Sequence, residues 1–192
     1  MKTLVLASGS PRRAELLSLL GVPFQVDVAD VDESRRPGEE PATYVERLAR
    51  AKASAVAREE VVALGADTIV VHHGVVLGKP AHPAEARSML KRLSGDAHQA
   101  MTAVAVAIVE RGRVVLDSVV ETALVRFLPL TDREIDDYLA TGEPLDKAGA
   151  YALQGRGAVL VESIEGHPTT VVGLPLPATR RLLVRAGVES LD

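Results

Sequence analysis

Leu4-Val5-Leu6-Ala7-Ser8-Gly9-Ser10-Pro11-Arg12-Arg13 decides the fold class. An apolar strand runs into a Ser-Gly-Ser turn, and the turn opens a helix. Ser10 fits the N-cap, Pro11 fits the first helical position, and Leu16, Leu17 and Leu20 supply a buried face before Gly21 stops the helix. The same stretch suggests chemistry. Arg12 and Arg13 place two cations at a helix N-terminus, where they oppose the dipole. They are better placed if an anion lies between them and the backbone N–H groups, which is how helix starts bind phosphate. A solvated turn would account for the two arginines alone. Glycine, serines, proline and arginines together favour an anion site.

Beyond this unit, Asp30 to Pro41 reads as a charged, proline-bearing loop, and a helix follows from about Pro41 to Glu59. Val61 to Val71 is a nearly unbroken apolar run, the pattern of a buried strand. His72-His73-Gly74 turns it back into Val75-Val76-Leu77. A helix from Pro83 to Leu93 ends at Ser94-Gly95. Strands over His98–Glu110 and Val114–Phe127, joined by Arg111-Gly112-Arg113, form a hairpin. Thr131-Asp132-Arg133-Glu134 has the capping-box pattern and opens a helix to Ala140 that Gly142 closes. A glycine-rich segment, Asp146 to Gly157, leads to a strand over Ala158–Ile164, and a last helix spans Ala178–Ala186. Strands interleaved with helices, plus one hairpin, predict an α/β domain with a mixed β-sheet.

The composition narrows the function. With 192 residues, 47% of them hydrophobic, the chain suits one domain over residues 1–192, or two intimately packed lobes. Lys and Arg total 22 against 26 Asp and Glu, and aromatics are 3%, which argues against a nucleic-acid partner. There is no cysteine, which excludes disulfides, thiolate catalysis and cysteine-ligated metal. The N-terminal strand is too short for a signal peptide and no apolar run reaches membrane length, so no membrane partner and a cytoplasmic location are expected.

Several charges fall where charges are costly. On a helical wheel of about 100° per residue, Val45, Leu48, Ala49 and Val56 form a stripe with Lys52 near its centre, while Arg47, Arg50 and Arg58 face away. Lys52 either snorkels at the core edge or points into a cleft. Asp67 interrupts the buried run Ala63–Val71, where a carboxylate needs a cation, a metal or several hydrogen bonds. It is a metal ligand, a general base, or a strand-end cap. Lys79, in Gly78-Lys79-Pro80, is within chain reach of Asp67. Asp32 and Glu33 read as solvated charges on their own. His72 and His73 sit at a turn tip with no evident partner and are expected to face solvent; His82, His98 and His167 are too scattered for a zinc site. In Asp146–Gly155, small residues permit close backbone approach, and Gln154 carries the donor and acceptor that suit the imide edge of a pyrimidine. The P-loop, dinucleotide and nucleophile-elbow motifs are absent.

Taken in order, Ala7-Ser8-Gly9-Ser10-Pro11-Arg12-Arg13, Asp32-Glu33, Leu48-Ala49-Arg50-Ala51-Lys52-Ala53, Gly65-Ala66-Asp67-Thr68, Gly78-Lys79-Pro80, Thr141-Gly142-Glu143-Pro144 and Val172-Gly173-Leu174-Pro175 resemble the Maf family of nucleoside triphosphate pyrophosphatases nearly end to end. The segment from Asp146 to Gly155 resembles the branch acting on dTTP and UTP rather than the one associated with 7-methyl-GTP. Gly166-His167-Pro168-Thr169-Thr170 departs from the family, whose members more often carry an aromatic residue and an asparagine there.

The resemblance implies an α/β fold of Maf/ITPase type, a mixed sheet flanked by helices with a central cleft between two lobes. It implies hydrolysis between the α and β phosphates, giving a monophosphate and pyrophosphate, in a house-cleaning role. Asp67 is then the proton acceptor, and Arg12, Thr68 and Gln154 sit where substrate is chosen. Ser8, Arg13, Glu33, Lys52 and Lys79 line the cleft. A divalent cation, Mg²⁺ or Mn²⁺, would be held by Glu33 and substrate oxygens, with Asp67 as a further candidate ligand. A homodimer is expected. The alternative is a nucleotide-binding regulator of septum formation that acts through partners with little turnover.

Overall fold

The computed structural model describes residues 2–188. Its strands are β1 (Thr3–Leu6), β2 (Phe24–Val26), β3 (Val61–His72), β4 (Val75–Leu77), β5 (Ala97–Glu110), β6 (Arg113–Phe127) and β7 (Val161–Glu165). Its α-helices are α1 (Pro11–Ser18), α2 (Pro41–Ala55), α3 (Pro83–Leu93), α4 (Asp132–Leu139), α5 (Pro168–Val172) and α6 (Leu176–Arg185). The seven strands form one mixed sheet in the order β2-β1-β3-β5-β6-β7, with β4 beside β3. This is the α/β architecture that the alternation of elements predicts.

Residues cluster into two compact units. The first takes the described residues up to Asp67, Thr102–Glu121 and those from Gly173; the second takes Thr68–Met101 and Thr122–Val172.

In the first unit β1 pairs in parallel with β2 (Leu4↔Phe24) and with β3 (Leu4↔Val62). Parallel pairing on both sides of β1 explains its apolar run, because such strands are covered on both faces. β3 is buried at every position except Thr68, which is half-buried. The stripe of α2 lies inward as the wheel predicts, with Val45, Leu48 and Ala49 at most 1% exposed.

The second unit holds antiparallel pairs, β3 with β4 and β6 with β7. Its core gathers Leu90, Leu93, Val125, Phe127, Ile135 and Tyr151 among others. His98, Phe127 and Tyr151 pack edge to face with centroids 4.8–5.2 Å apart, the arrangement that aromatic quadrupoles favour.

Some boundaries differ from expectation. α2 ends at Ala55 rather than Glu59, because Val56 leaves helical geometry and Glu60 takes a positive φ of 61°. Residues 156–160 form a 3₁₀ turn, so the expected strand begins at Val161. α1 stops at Ser18, ahead of Gly21, and the last helix runs from Leu176 to Arg185. β2 and α5 are additional. The β5–β6 hairpin turns on Arg111 and Gly112, both at positive φ as a tight hairpin turn requires. Thr131 and Glu134 form the predicted capping box. No helix among the described residues is long and apolar enough to cross a membrane.

Candidate active site

The β1–α1 turn is organised around the Ser8 hydroxyl. Ser10 occupies the N-cap position of α1 but makes no side-chain cap bond; instead its backbone N–H donates to Ser8 Oγ at 3.3 Å. Arg13 donates from Nη1 to the same oxygen at 3.1 Å and from Nε to the Gly173 carbonyl at 3.0 Å. Ser8 is buried. Two bonds thus set the direction of the Arg13 guanidinium, and one of them comes from a residue 160 positions away in sequence.

Lys52 points inward from α2 and is buried. Its Nζ lies 2.7 Å from Asp67 Oδ1 and 2.6 Å from Glu33 Oε1. The snorkelling alternative for Lys52 therefore falls, and Glu33, which reads as a solvated charge in isolation, is an ion-pair partner. An ammonium shared by two carboxylates answers the cost of burying Asp67, since an unpaired buried charge destabilises by about 3–5 kcal/mol.

Two local devices hold this group in place. Gly65, two residues before Asp67, lets β3 close on α2: a Cβ there would lie 2.3 Å from the Ala49 carbonyl oxygen and 2.5 Å from the Ala53 nitrogen. The loop carrying Glu33 is fastened to α2. Tyr44 donates its hydroxyl to the Glu33 carbonyl at 2.8 Å. Arg47 donates to both oxygens of Glu39 and to the Ser34 carbonyl, and holds the Glu39 carboxyl down at about 2.

The electrostatics ties the two parts together. Burial draws the Arg13 guanidinium below its ordinary range, and the Asp67 and Glu33 carboxylates oppose that shift. Burial, followed by the same two carboxylates, pushes the Tyr44 phenol up. The first unit therefore concentrates Arg13, Lys52, Asp67 and Glu33 in one electrostatic neighbourhood, with Arg12 beside Arg13 in sequence and half-buried. Cations suited to phosphate stand beside a carboxylate able to take a proton.

Thr68, Lys79 and Gln154 belong to the second unit. Thr68 is half-buried, directly after Asp67 on β3; Lys79 is exposed just after β4; Gln154 is exposed on the glycine-rich loop. That loop has a rigid base. Glu143 accepts from the backbone N–H groups of Arg156 (2.9 Å) and Gly157 (3.2 Å), which hold its carboxyl below the usual range. Ala152 N donates to the Tyr138 hydroxyl at 3.1 Å, and Gly149 N donates to the Gly78 carbonyl at 3.1 Å. The loop is thereby joined to the Gly78-Lys79-Pro80 corner.

His72 departs from the expectation of solvent exposure, whereas His73 is exposed as expected and gains a partner. His72 is buried, and both rings place Nε2 within hydrogen-bond distance of Asp96 Oδ2, at 3.0 and 2.9 Å. The partner lies 24 residues on, too far for the turn sequence to announce. Sequence reasoning also missed Tyr44 and the Gly173 carbonyl as supports of the site. Nothing in the sequence distinguishes Tyr44 from any other helix tyrosine.

The sequence has counterparts among known proteins. The family model described as Maf-like protein matches residues 3–186. A protein named dTTP/UTP pyrophosphatase from Anaeromyxobacter sp. (strain Fw109-5) is 57% identical over 186 residues, covering 96% of this chain and 89% of that protein. Proteins of the same name from Halalkalibacterium halodurans and Symbiobacterium thermophilum are each 52% identical, covering 95% and 97% of this chain and 95% of their own lengths.

Proposed function

The chain belongs to the Maf-like family, and from that premise we propose that it is a nucleoside triphosphate pyrophosphatase acting on dTTP and UTP. It releases the nucleoside monophosphate and pyrophosphate, in a house-cleaning role that extends to modified pyrimidine nucleotides. The substrate class rests on the relatives' names and on the resemblance of the Gln154 loop. The observation that carries the chemistry is the Lys52 ammonium set 2.7 Å from Asp67 and 2.6 Å from Glu33, in the electrostatic neighbourhood of the tethered Arg13. A protein that only bound a polyanion would gain nothing from a buried carboxylate among its cations unless that carboxylate held a metal.

In the proposed reaction a water attacks one phosphorus of the α–β anhydride. A new P–O bond forms, the bridging P–O bond breaks with its electron pair going to the leaving phosphate, and Asp67 takes the water proton. Lys52 holds Asp67 at a fixed angle, and the bonds from Ser8 and Gly173 do the same for Arg13. Arg12, Arg13, Lys52 and Lys79 counter the triphosphate charge, which is most of what phosphoryl transfer asks of a protein. Thr68 and Gln154 contribute to substrate choice, Gln154 by hydrogen bonding the imide edge of the base.

Glu33 and Asp67 fit a hard divalent ion such as Mg²⁺ or Mn²⁺. Lys52 occupies one oxygen of each, and a carboxylate has lone pairs for more than one cation. When bound, such an ion would supply Lewis-acid polarisation of a phosphate oxygen. The proposal includes a homodimer located in the cytoplasm, both of which rest on the resemblance; light scattering tests the first and cell fractionation the second.

The decisive experiment is pyrophosphate release from a panel of nucleoside triphosphates with Mg²⁺, run beside Asp67→Asn. Release from dTTP and UTP, lost in a variant of unchanged circular dichroism, is the expected result. Turnover of purine triphosphates alone would overturn the substrate class, and near-wild-type turnover in Asp67→Asn would overturn the role of Asp67.

A further inference from the structure

The second unit holds a ligand set that the proposed reaction does not use. His72 ends β3, and His73 follows it in the turn to β4 with a positive φ of 48°. Consecutive side chains on a strand point to opposite faces. Here the left-handed turn residue brings the two rings together, with centroids 4.1 Å apart and planes tilted by 51°. Positive φ at both His73 and Gly74 is what the two-residue turn between the paired His72 and Val75 requires, as at Arg111 and Gly112.

Both imidazoles aim Nε2 at a single atom, Asp96 Oδ2, at 3.0 and 2.9 Å. Asp96 is itself anchored. Its other oxygen accepts from the Ala97 N–H at 2.7 Å, its own N–H donates to the Leu93 carbonyl and its carbonyl accepts from Phe127 N. The three candidate ligand atoms lie within 4.8 Å of one another.

We propose that His72, His73 and Asp96 form a binding site for a late first-row divalent cation of the Zn²⁺ class. Two imidazole nitrogens and one carboxylate oxygen are the donors such ions take, at metal–ligand distances of about 2.0–2.2 Å. The two nitrogen-to-carboxylate separations of 3.0 and 2.9 Å need to open by only a few tenths of an ångström to stand around an ion at those distances, and the two nitrogens already lie within 4.8 Å of each other. The site differs in kind from the all-oxygen pair of Glu33 and Asp67, which suits Mg²⁺. Exposed His73 gives the ion a way in, while buried His72 and the half-buried Asp96 supply a preset frame. His72 Nδ1 is buried without a hydrogen-bond partner. Metal-binding histidines usually donate that second N–H, and losing such support costs about 10–100-fold in affinity, so micromolar rather than nanomolar binding is expected.

The test is calorimetric titration of chelator-stripped, full-length protein with Zn²⁺ in the presence of excess Mg²⁺. Co²⁺ is used in parallel as an optical probe of coordination. The expected result is one Zn²⁺ per chain, weakened at least tenfold in both His73→Ala and Asp96→Asn, with loss of the Co²⁺ visible band in each. Because His73 is exposed, its removal leaves the fold intact, and nucleotide turnover with Mg²⁺ should be unchanged in that variant. Absence of Zn²⁺ binding to the wild-type chain, or equal binding by wild type and both variants, would overturn the proposal.

Discussion

Gly65→Ala adds one methyl group and tests whether backbone contact between β3 and α2 sets the position of the candidate base. The new Cβ would lie 2.3 Å from the Ala49 carbonyl oxygen, 2.5 Å from the Ala53 nitrogen and 3.1 Å from the Ala53 Cα. All three are backbone atoms, so no rotamer change relieves the clash. Restoring ordinary contact requires the helix to retreat by roughly 1 Å, since interiors close-packed at crystal density have no slack to absorb the methyl. Overpacking of this kind costs about 1–3 kcal/mol. The lower chain entropy of alanine returns about 0.5–1 kcal/mol. The net loss, up to about 2.5 kcal/mol, lowers the melting temperature by as much as roughly 5–10 °C in a chain of this size.

The retreat matters more for turnover than for stability. Lys52 sits on the affected turn of α2, and Glu33 is fastened to α2 through Tyr44. Both move with the helix while Asp67 stays on β3. A misplacement of about 1 Å can cost 10²-fold in rate, so pyrophosphate release from dTTP should fall by about that factor. The measurements are a thermal melt and steady-state pyrophosphate release, with Gly78→Ala as a stability control because a Cβ there meets nothing within 4 Å. A Gly65→Ala protein that melts and turns over like wild type would refute the contact argument. One that melts lower but keeps full turnover would refute the link between the contact and the alignment of Asp67.

Two other outcomes follow from the second unit. Burial, with help from the charge of His72, pulls His98 down to about 4 from an ordinary 6.5. The unfolded chain therefore binds a proton between those values that the folded chain does not. Stability conferred by neutral His98 is full above pH 6.5 and falls by about 3 kcal/mol as pH drops to 4. Denaturant melts of His98→Gln should lose that part of the slope over the same window; an unchanged slope would assign the acid sensitivity elsewhere. Gln154→Ala removes an exposed amide from a loop whose base is held by Glu143 and Tyr138. Its melting temperature should stay unchanged, while the ratio of dTTP to purine triphosphate turnover falls about tenfold, the worth of roughly one hydrogen bond.

Long, strongly patterned elements were legible because their signals are local. The buried run of β3, the stripe of α2, the hairpin turn and the Thr131–Glu134 box each declare themselves within a dozen residues. β2 did not, being three residues long with two of them exposed, so that neither alternation nor an apolar run marks it. It forms because β1 offers it an edge. α5 is five residues long and has no measurable period. The early end of α2 also had no marker: Glu60 adopts a left-handed conformation where no glycine or proline announces a stop.

The site shows a sharper division, between which residues are unusual and what they are paired with. A lysine in the middle of an apolar stripe and an aspartate inside a buried strand are legible as costs, because burial of charge is expensive wherever it occurs. Their mutual solution is not legible, since the pairing depends on the approach of two backbones that only a glycine permits. The same reasoning explains the error over His72. Judged by their turn, His72 and His73 should face water, and only a carboxylate 24 residues away makes one of them cheaper buried. A pattern that is locally expensive thus points to a site more reliably than one that is locally ordinary. Gly65, with no side chain to attract notice, is where the two kinds of information meet.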